Sequence, residues 1–238
     1  MIKTDLTKHK VVSANEWLEV RKQFLIQEKE FTRLRDQLSR QRRELPWVKV
    51  EKNYVFAGPD GKTTLAELFA GSSQLIIYHF MFGPDWEAGC PHCSFWADNF
   101  DGIIVHLKQR DVTMVAVSRA PLQKLAEFKK RMGWSFKWVS SCHNDFNRDY
   151  HVTFTQEEQK TAVYNYRDGG FGSSEAPGIS VFAKDAAGEI FHTYSCYARG
   201  LDPLNGAYQL IDLLPKGRDE GGLAHPMAWV RRHDRYDS

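Results

Sequence analysis

The chain has 238 residues, 42% of them hydrophobic and 26% charged, with a formal net charge of +2. This is the composition of an ordinary globular protein, and the near balance of charge argues against a nucleic-acid-binding or membrane-surface protein. The longest apolar run, Leu75 to Phe82, is too short for a membrane span, and the polar start lacks the apolar core of a signal peptide. We therefore expect a cytoplasmic protein that binds neither nucleic acid nor a membrane.

The first predicted element is a long helix over residues 14 to 43, which Pro46 ends. Apolar residues recur along it at intervals of seven, at Trp17, Phe24, Phe31, Leu38 and Leu45. Its other face is basic but carries no interleaved aromatic residues, which favours a solvated surface over nucleic-acid binding. The apolar face should dock on the rest of the chain or on a second copy, which would give a homodimer through this helix.

From residue 47 onward the pattern changes to short strands and helices. Strands are predicted at 47–50, 54–56, 75–82, 112–117, 136–139, 179–183 and 189–194, and helices at 65–69, 94–108, 122–132 and 202–214. The alternation of strands and helices between residues 75 and 139 predicts parallel pairing with right-handed crossovers, and so an α/β fold. Residues 141–176 should form an irregular excursion over one face of the sheet.

Three units follow from this order. Residues 1–45 are predicted to be a helical extension, residues 46–214 an α/β domain with a central mixed sheet, and residues 215–238 a tail. The tail should pack on the domain through Met227 and Trp229 with Val230.

The motif Cys90-Pro91-His92-Cys93 lies where a buried strand ends and a helix begins. Cys90 is therefore expected at the helix N-cap, with Pro91 at the first helical position, where a missing N–H costs nothing. Free amides and the helix dipole would lower the Cys90 pKa, which makes this thiol the predicted nucleophile. Cys93, one turn further on, is the predicted resolving thiol. His92 could favour the thiolate as a donor or a positive imidazole, which would make the couple oxidising.

A CxxC motif is also half of a zinc site. The remaining candidates, Cys142-His143 and Cys196, are not spaced as a second pair of ligands, so we expect neither a metal nor another cofactor. Cys142 and Cys196 are interpreted as buried inert thiols, the alternative being a secondary resolving or regulatory role.

Pro177 directly precedes the apolar strand at residues 179–183. If its peptide bond were cis, Ala176 would present free backbone groups to an extended substrate, which could pair with them by strand addition. Ala176 and Pro177 are therefore predicted substrate-binding residues, the alternative being a trans proline that starts a strand.

The loop before the dithiol offers further candidates. Trp86 could line a substrate groove, and the carboxylate of Asp85 or Glu87 could take a proton from Cys93, unless the loop simply faces solvent. On the preceding strand, either Tyr78 or His79 could face the dithiol, but core packing is the favoured interpretation of both.

The order of elements, the CPHC motif and Pro177 resemble the thioredoxin superfamily, and residues 54–69 resemble the alkyl-hydroperoxide-reductase branch of it. Three longer segments, Tyr78 to Trp86, Ser94 to Asp98 and Trp229 to Asp234, resemble a bacterial thioredoxin-like family, domain of unknown function 899. Members of that family are often labelled predicted dithiol-disulfide oxidoreductases. The resemblance implies a thioredoxin-like fold and a suspected redox activity on a protein disulfide or on a small thiol such as glutathione.

Two other functions stay open. The loop before Cys90 resembles that of peroxiredoxins, but Glu87 stands where peroxiredoxins carry the Thr or Ser that holds the peroxide, and peroxiredoxins lack a counterpart of Pro177 in the cis form. A nonenzymatic module is the second alternative, either a CxxC metal carrier or a partner-binding protein that uses the long helix.

Overall fold

The structure is a computed structural model that describes residues 9–237. In chain order its helices and strands are α1 (Ala14–Arg43), β1 (Val48–Lys49), β2 (Val55–Gly58), β3 (Gly61–Thr64), α2 (Leu65–Leu68), β4 (Gln74–His79), α3 (Pro91–Phe100), α4 (Ile104–Lys108), β5 (Val112–Ser118), α5 (Leu122–Met132), β6 (Lys137–Ser140), α6 (Phe146–Asp149), β7 (Gly178–Lys184), β8 (Ile190–Tyr197) and α7 (Gly206–Ile211).

The eight strands form one mixed sheet in the order β1-β8-β7-β4-β5-β6-β2-β3. Strands β4, β5 and β6 run parallel, because α3 with α4 and then α5 return the chain across the sheet. The β7–β8 hairpin pairs antiparallel with β4 on its other side. The predicted parallel run and hairpin are confirmed, and the fold is thioredoxin-like, with helices on both sides of a mixed sheet.

The core lies on both faces of the sheet because residues of the central strands alternate in direction. On one face, Tyr78 of β4 packs with the buried side of α3 and α5 and with a cluster of aromatic rings that includes Phe80, Phe128 and Trp138. On the other face, Ile77 packs with α2 and α6. Both cysteines of the CPHC motif belong to the first of these clusters.

Helix α1 has the predicted bounds. It begins at a capping box, in which the Ser13 side chain accepts from the Glu16 N–H and the Glu16 carboxylate accepts from the Ser13 N–H. None of its residues is buried. Its last turn meets the sheet where the Arg42 guanidinium lies 4.8 Å from the centre of the Tyr194 ring. The apolar face of α1 therefore does not dock on the rest of residues 9–237.

Two predicted helices differ from those observed. The segment 94–108 forms α3 and α4 joined by a 3-10 turn at Asp101–Ile103, and α3 begins earlier, at Pro91. The segment 202–214 gives a 3-10 turn at Ala198–Leu204 and then the short α7, because Asn205 caps a new helix by accepting from the Tyr208 N–H.

The tail contacts the rest of the chain through apolar side chains. Val230 is buried, and Met227 and Trp229 pack against the cluster that contains the dithiol. The division into the units 1–45, 46–214 and 215–238 stays a prediction. No helix within residues 9–237 is long and apolar enough to cross a bilayer.

Candidate redox site

The CPHC motif stands at the junction between the loop after β4 and the start of α3, as the sequence predicts. Cys90 is the N-cap residue, with non-helical backbone angles, and Pro91 occupies the first turn. The Cys90 N–H donates to the Met81 carbonyl at 3.0 Å, and the Ser94 hydroxyl donates to the Cys90 carbonyl at 2.9 Å. These bonds hold the N-cap backbone in place, so the position of the Cys90 thiol is set by both neighbouring segments.

The two thiols of the motif are free and have opposite tendencies to ionise. Hydrogen bonding from the Cys93 thiol lowers the pKa of Cys90, as do the backbone N–H groups of Cys93 and His92 and the charge of Arg232, against the opposing effect of burial. Burial raises the pKa of Cys93 well above its usual value, and the adjacent Cys90 raises it further. The first proton therefore leaves Cys90, and Cys93 stays a thiol that donates to it.

Tyr78 is the strand residue that faces the dithiol. Its hydroxyl donates to the Cys93 carbonyl at 3.2 Å, and the same hydroxyl lowers the pKa of the Cys93 thiol. The Met81 N–H also lies 3.4 Å from the Cys93 sulfur. His79 points to the opposite face of the sheet, where it bonds to the Ser180 hydroxyl at 2.9 Å and burial lowers its pKa to about 3. Of the two candidates, His79 is thus a core residue.

The C-terminal tail completes the site through Arg232, a residue that the sequence analysis did not single out. The Arg232 Nε and Nη2 atoms donate to the Gly89 carbonyl at 3.0 and 2.7 Å. The guanidinium lies 5.8 Å from the centre of the Phe128 ring and lowers the pKa of Cys90. Arg231 precedes it in the sequence, and no feature of the sequence indicates which of these two arginines contacts the site.

His92 does not supply positive charge to the thiolate. Burial lowers the pKa of His92, and the nearby His225 ring, whose centre is 5.9 Å away, lowers it further, so the imidazole is neutral at pH 7. Of the two roles that the sequence left open for His92, a hydrogen-bond donor or a positive imidazole, the first fits this environment better. The donor that His92 contributes is its backbone N–H, while the positive charge comes from Arg232.

For Pro177 the structure has the second of the two alternatives, a trans proline just before a strand. The peptide bond between Ala176 and Pro177 is trans, since residues 9–237 contain no cis peptide. The Ala176 N–H donates to the Val152 carbonyl at 2.9 Å, and the Pro177 carbonyl accepts from the Tyr164 hydroxyl at 2.8 Å. The Ala176 N–H and the Pro177 carbonyl are therefore already bonded within the chain, and binding of substrate by these two residues stays a prediction. Both bonding partners, Val152 and Tyr164, belong to the irregular segment 141–176, which covers the groups that were expected to face substrate.

One lysine, Lys124, hydrogen-bonds to the backbone of the loop before the dithiol. The Lys124 ammonium donates to the carbonyls of Pro84 and Trp86 at 3.0 and 3.1 Å. Trp86 is half-buried and packs at the edge of the cluster around the dithiol. Asp85 and Glu87 are exposed, and neither hydrogen-bonds to Cys93. The solvent-facing interpretation fits both carboxylates, and a groove lined by Trp86 stays a prediction.

The other two cysteines lie outside the motif. Cys196 is buried, which raises its pKa, and Cys142 is half-buried. Within the described residues, no group of three or more His, Cys, Asp or Glu side chains is placed to hold a metal ion.

Comparison with solved structures finds distant likeness. A peroxidoxin BcpB from Mycobacterium tuberculosis is 13% identical, with a TM-score of 0.46 over 70% of this chain and 97% of that one. A Xanthomonas campestris peroxiredoxin Q is 15% identical, with a TM-score of 0.45 over 66% and 89%. A putative thiol:disulfide interchange protein DsbE from Chlorobium tepidum is 14% identical, with a TM-score of 0.38 over 70% and 96%.

No curated protein matches the chain. A family model, in contrast, matches residues 6–236 and so covers nearly the whole sequence, including the long helix, the CPHC motif and the tail. The chain belongs to this family, which is described as bacterial protein of unknown function, DUF899.

Proposed function

We propose that the protein is a thiol-disulfide oxidoreductase in which Cys90 is the nucleophile and Cys93 the resolving thiol. The observation that carries this proposal is the placement of the dithiol: Cys90 is the N-cap residue of α3, and Cys93 lies beneath it in the first turn with its sulfur 3.4 Å from the Met81 nitrogen. The opposite directions of the two pKa shifts, lowered for Cys90 and raised for Cys93, agree with this placement. Exposure supports the same division of roles. Cys90 is 9% exposed at the helix N-cap, whereas Cys93 is 2% exposed beneath it, so a disulfide meets Cys90 first.

The exchange takes place in two displacements. The Cys90 thiolate attacks one sulfur of the substrate disulfide, forms a mixed disulfide and expels the other sulfur as a thiolate. Cys93 then loses its proton and attacks the Cys90 sulfur, which releases the second substrate thiolate. The substrate disulfide gains two electrons and two protons, and the protein is left with a Cys90–Cys93 disulfide. The reverse sequence of steps oxidises a dithiol.

Trapping of the mixed disulfide tests the roles of both thiols. A Cys93→Ser variant incubated with oxidised glutathione should hold one glutathione on Cys90, because the second displacement is blocked. The Cys90→Ser variant should hold none on Cys93, because that thiol is buried. Peptide mass spectrometry locates the adduct, and a Cys93→Ser/Cys142→Ser double variant shows that the half-buried thiol is not its source. Absence of an adduct on Cys90, together with no exchange with thioredoxin, would refute the proposal.

Peroxide reduction is the rival enzymatic function. The Glu87 side chain, at the position of the peroxide-holding Thr or Ser, is exposed and gives no hydroxyl next to Cys90. We therefore expect the protein to consume hydrogen peroxide far more slowly than it exchanges with disulfides. Stopped-flow rates of Cys90 with the two substrates compare the functions directly. Tight zinc binding by the reduced chain without any exchange activity would instead favour a metal carrier.

A further inference from the structure

Helix α1 presents an apolar face for which the described chain offers no partner. Six apolar side chains on this face are between 50% and 70% exposed: Trp17, Val20, Phe24, Phe31, Leu34 and Leu38. The helix has 30 residues and is therefore about 45 Å long. An apolar patch of this size on an isolated helix marks an interaction surface.

These residues follow a heptad repeat. With Trp17 at position a, the a positions are all apolar, being Trp17, Phe24, Phe31, Leu38 and Leu45. The d positions alternate between apolar residues and glutamine, with Val20, Gln27, Leu34 and Gln41. Four consecutive heptads with this pattern are typical of a coiled coil, in which a and d face another helix.

We infer that the partner is a second copy of this chain and that two α1 helices pair as a parallel, in-register coiled coil. The charges that flank the apolar face support this arrangement. A parallel coil brings each g residue next to the e residue five positions later on the other helix. Glu16 would meet Arg21 of the second copy, and Glu30 would meet Arg35. Both pairs are attractive.

An antiparallel pair would be poorer on two counts. It would place g residues opposite g residues, and all of these are Glu or Gln, so that no attractive pair forms on that side. It would also place a residues opposite d residues, so that Gln27 and Gln41 would face apolar side chains. In the parallel coil each glutamine faces the glutamine at the same position of the second chain, and the two side-chain amides can hydrogen-bond to each other.

The structure also shows where the coil would continue. Leu45, which continues the apolar repeat two residues beyond the end of α1, lines an open groove of about 550 Å³ together with Val48, Tyr166 and Tyr194. A parallel pair brings the two copies of this groove to the same end of the coil. The interface would thus extend from α1 onto the edge of the sheet, which helps it reach the roughly 800 Å² per partner of a stable complex.

The oligomeric state of the full chain tests the interface. Sedimentation at micromolar concentration should give twice the 27.5 kDa chain mass. Phe31→Glu should give the mass of one chain, because it buries a carboxylate in the coil. Arg33→Gln changes the charge by the same amount on the outer side of the helix and should leave the dimer intact. A monomeric parent chain, or a dimer that persists in Phe31→Glu, would overturn the proposal.

Orientation is tested separately by crosslinking and by charge reversal. Under oxidation, Gln27→Cys should give a covalent dimer, because a d residue of one chain faces the same d residue of the other chain in a parallel coil. Arg33→Cys should give none, because residue 33 lies on the outer side of the helix. Arg35→Glu should weaken the dimer at least tenfold, and a second change, Glu30→Arg, should restore it. A dimer in which Gln27→Cys fails to crosslink would overturn the parallel arrangement.

A membrane surface is the competing occupant, since the helix has several basic residues next to an apolar face. Vesicles of phosphatidylcholine with phosphatidylserine provide the probe. Binding of a monomeric chain to these vesicles, lost in Phe31→Glu, would replace the coiled coil with a membrane-surface helix. A chain that stays dimeric and does not bind them supports the coil.

Discussion

Arg232 should determine how readily Cys90 ionises, and its replacement by methionine is the most informative change in the site. Arg232→Met keeps a long apolar side chain over Phe128 but removes the positive charge and both hydrogen bonds to the Gly89 carbonyl. Because the charge of Arg232 lowers the pKa of Cys90, the variant should have a higher Cys90 pKa. A smaller fraction of Cys90 is then thiolate at pH values near and below its pKa, and alkylation and disulfide attack slow down accordingly.

The loss of the two bonds also has a cost in stability. A hydrogen bond to a charged group contributes about 1.5–3 kcal/mol. Both bonds from Arg232 go to one acceptor at a partly exposed position, so that we expect the variant to lose about 2 kcal/mol, near the lower end of the range for a single bond. Chemical denaturation measures this loss independently of the pKa.

Titration of the thiolate absorbance provides the assay. It is done in a Cys93→Ser background, where one thiol of the motif titrates and the serine hydroxyl can still donate to it. Arg235→Met removes the same charge from an exposed position and is the matched control, while Arg232→Lys keeps the charge and loses the paired hydrogen bonds. If Arg232→Met titrates with the same Cys90 pKa as the Cys93→Ser parent, the tail has no electrostatic role in the site.

Three further changes test neighbouring parts of the structure. Gly89→Ala should destabilise the fold and slow thiol-disulfide exchange, because the new Cβ would lie 2.6 Å from the buried Phe80 ring and 2.9 Å from the buried Phe128 ring. Denaturation midpoints and exchange rates measure the two effects. Tyr78→Phe should raise the Cys93 pKa and prolong the mixed disulfide, which quenched-flow mass spectrometry detects, whereas an unchanged lifetime would remove Tyr78 from the resolving step. Burial raises the pKa of Glu175 to about 7 from an ordinary 4.5, so the folded chain loses about 3 kcal/mol of stability as the pH rises from the lower to the higher value. Glu175→Gln should abolish this loss and be the more stable protein at pH 8. Melting temperatures of the two proteins that change in parallel with pH would contradict this.

Much of the fold could be predicted because its signals are local. The N-cap position of Cys90 follows from a buried strand, a cysteine and Pro91 in sequence, and α1 follows from Ser13, Glu16 and a repeat of apolar residues. Each of these signals lies within a few residues of the element that it specifies.

The parts of the site that sequence reasoning missed depend on distant segments. Arg232 reaches Gly89 across 143 positions, and the Ala176 N–H is occupied by a carbonyl from the excursion rather than left free. Tyr78 and His79 are neighbours in the same strand, and their roles differ only because the strand is packed on both faces. Contacts of this kind follow from tertiary packing and leave no periodic pattern in the chain.

The contact between Arg232 and Gly89 also bears on how the site is built during translation. Strand β4 and the CPHC motif leave the ribosome long before residue 232 does, and the segments from β5 to α7 can begin to fold in the meantime. Until Arg232 arrives, Cys90 lacks the positive charge that favours its thiolate. We therefore expect a nascent chain to carry a less reactive thiol than the finished protein, and so to form fewer disulfides through Cys90 while the domain is incomplete.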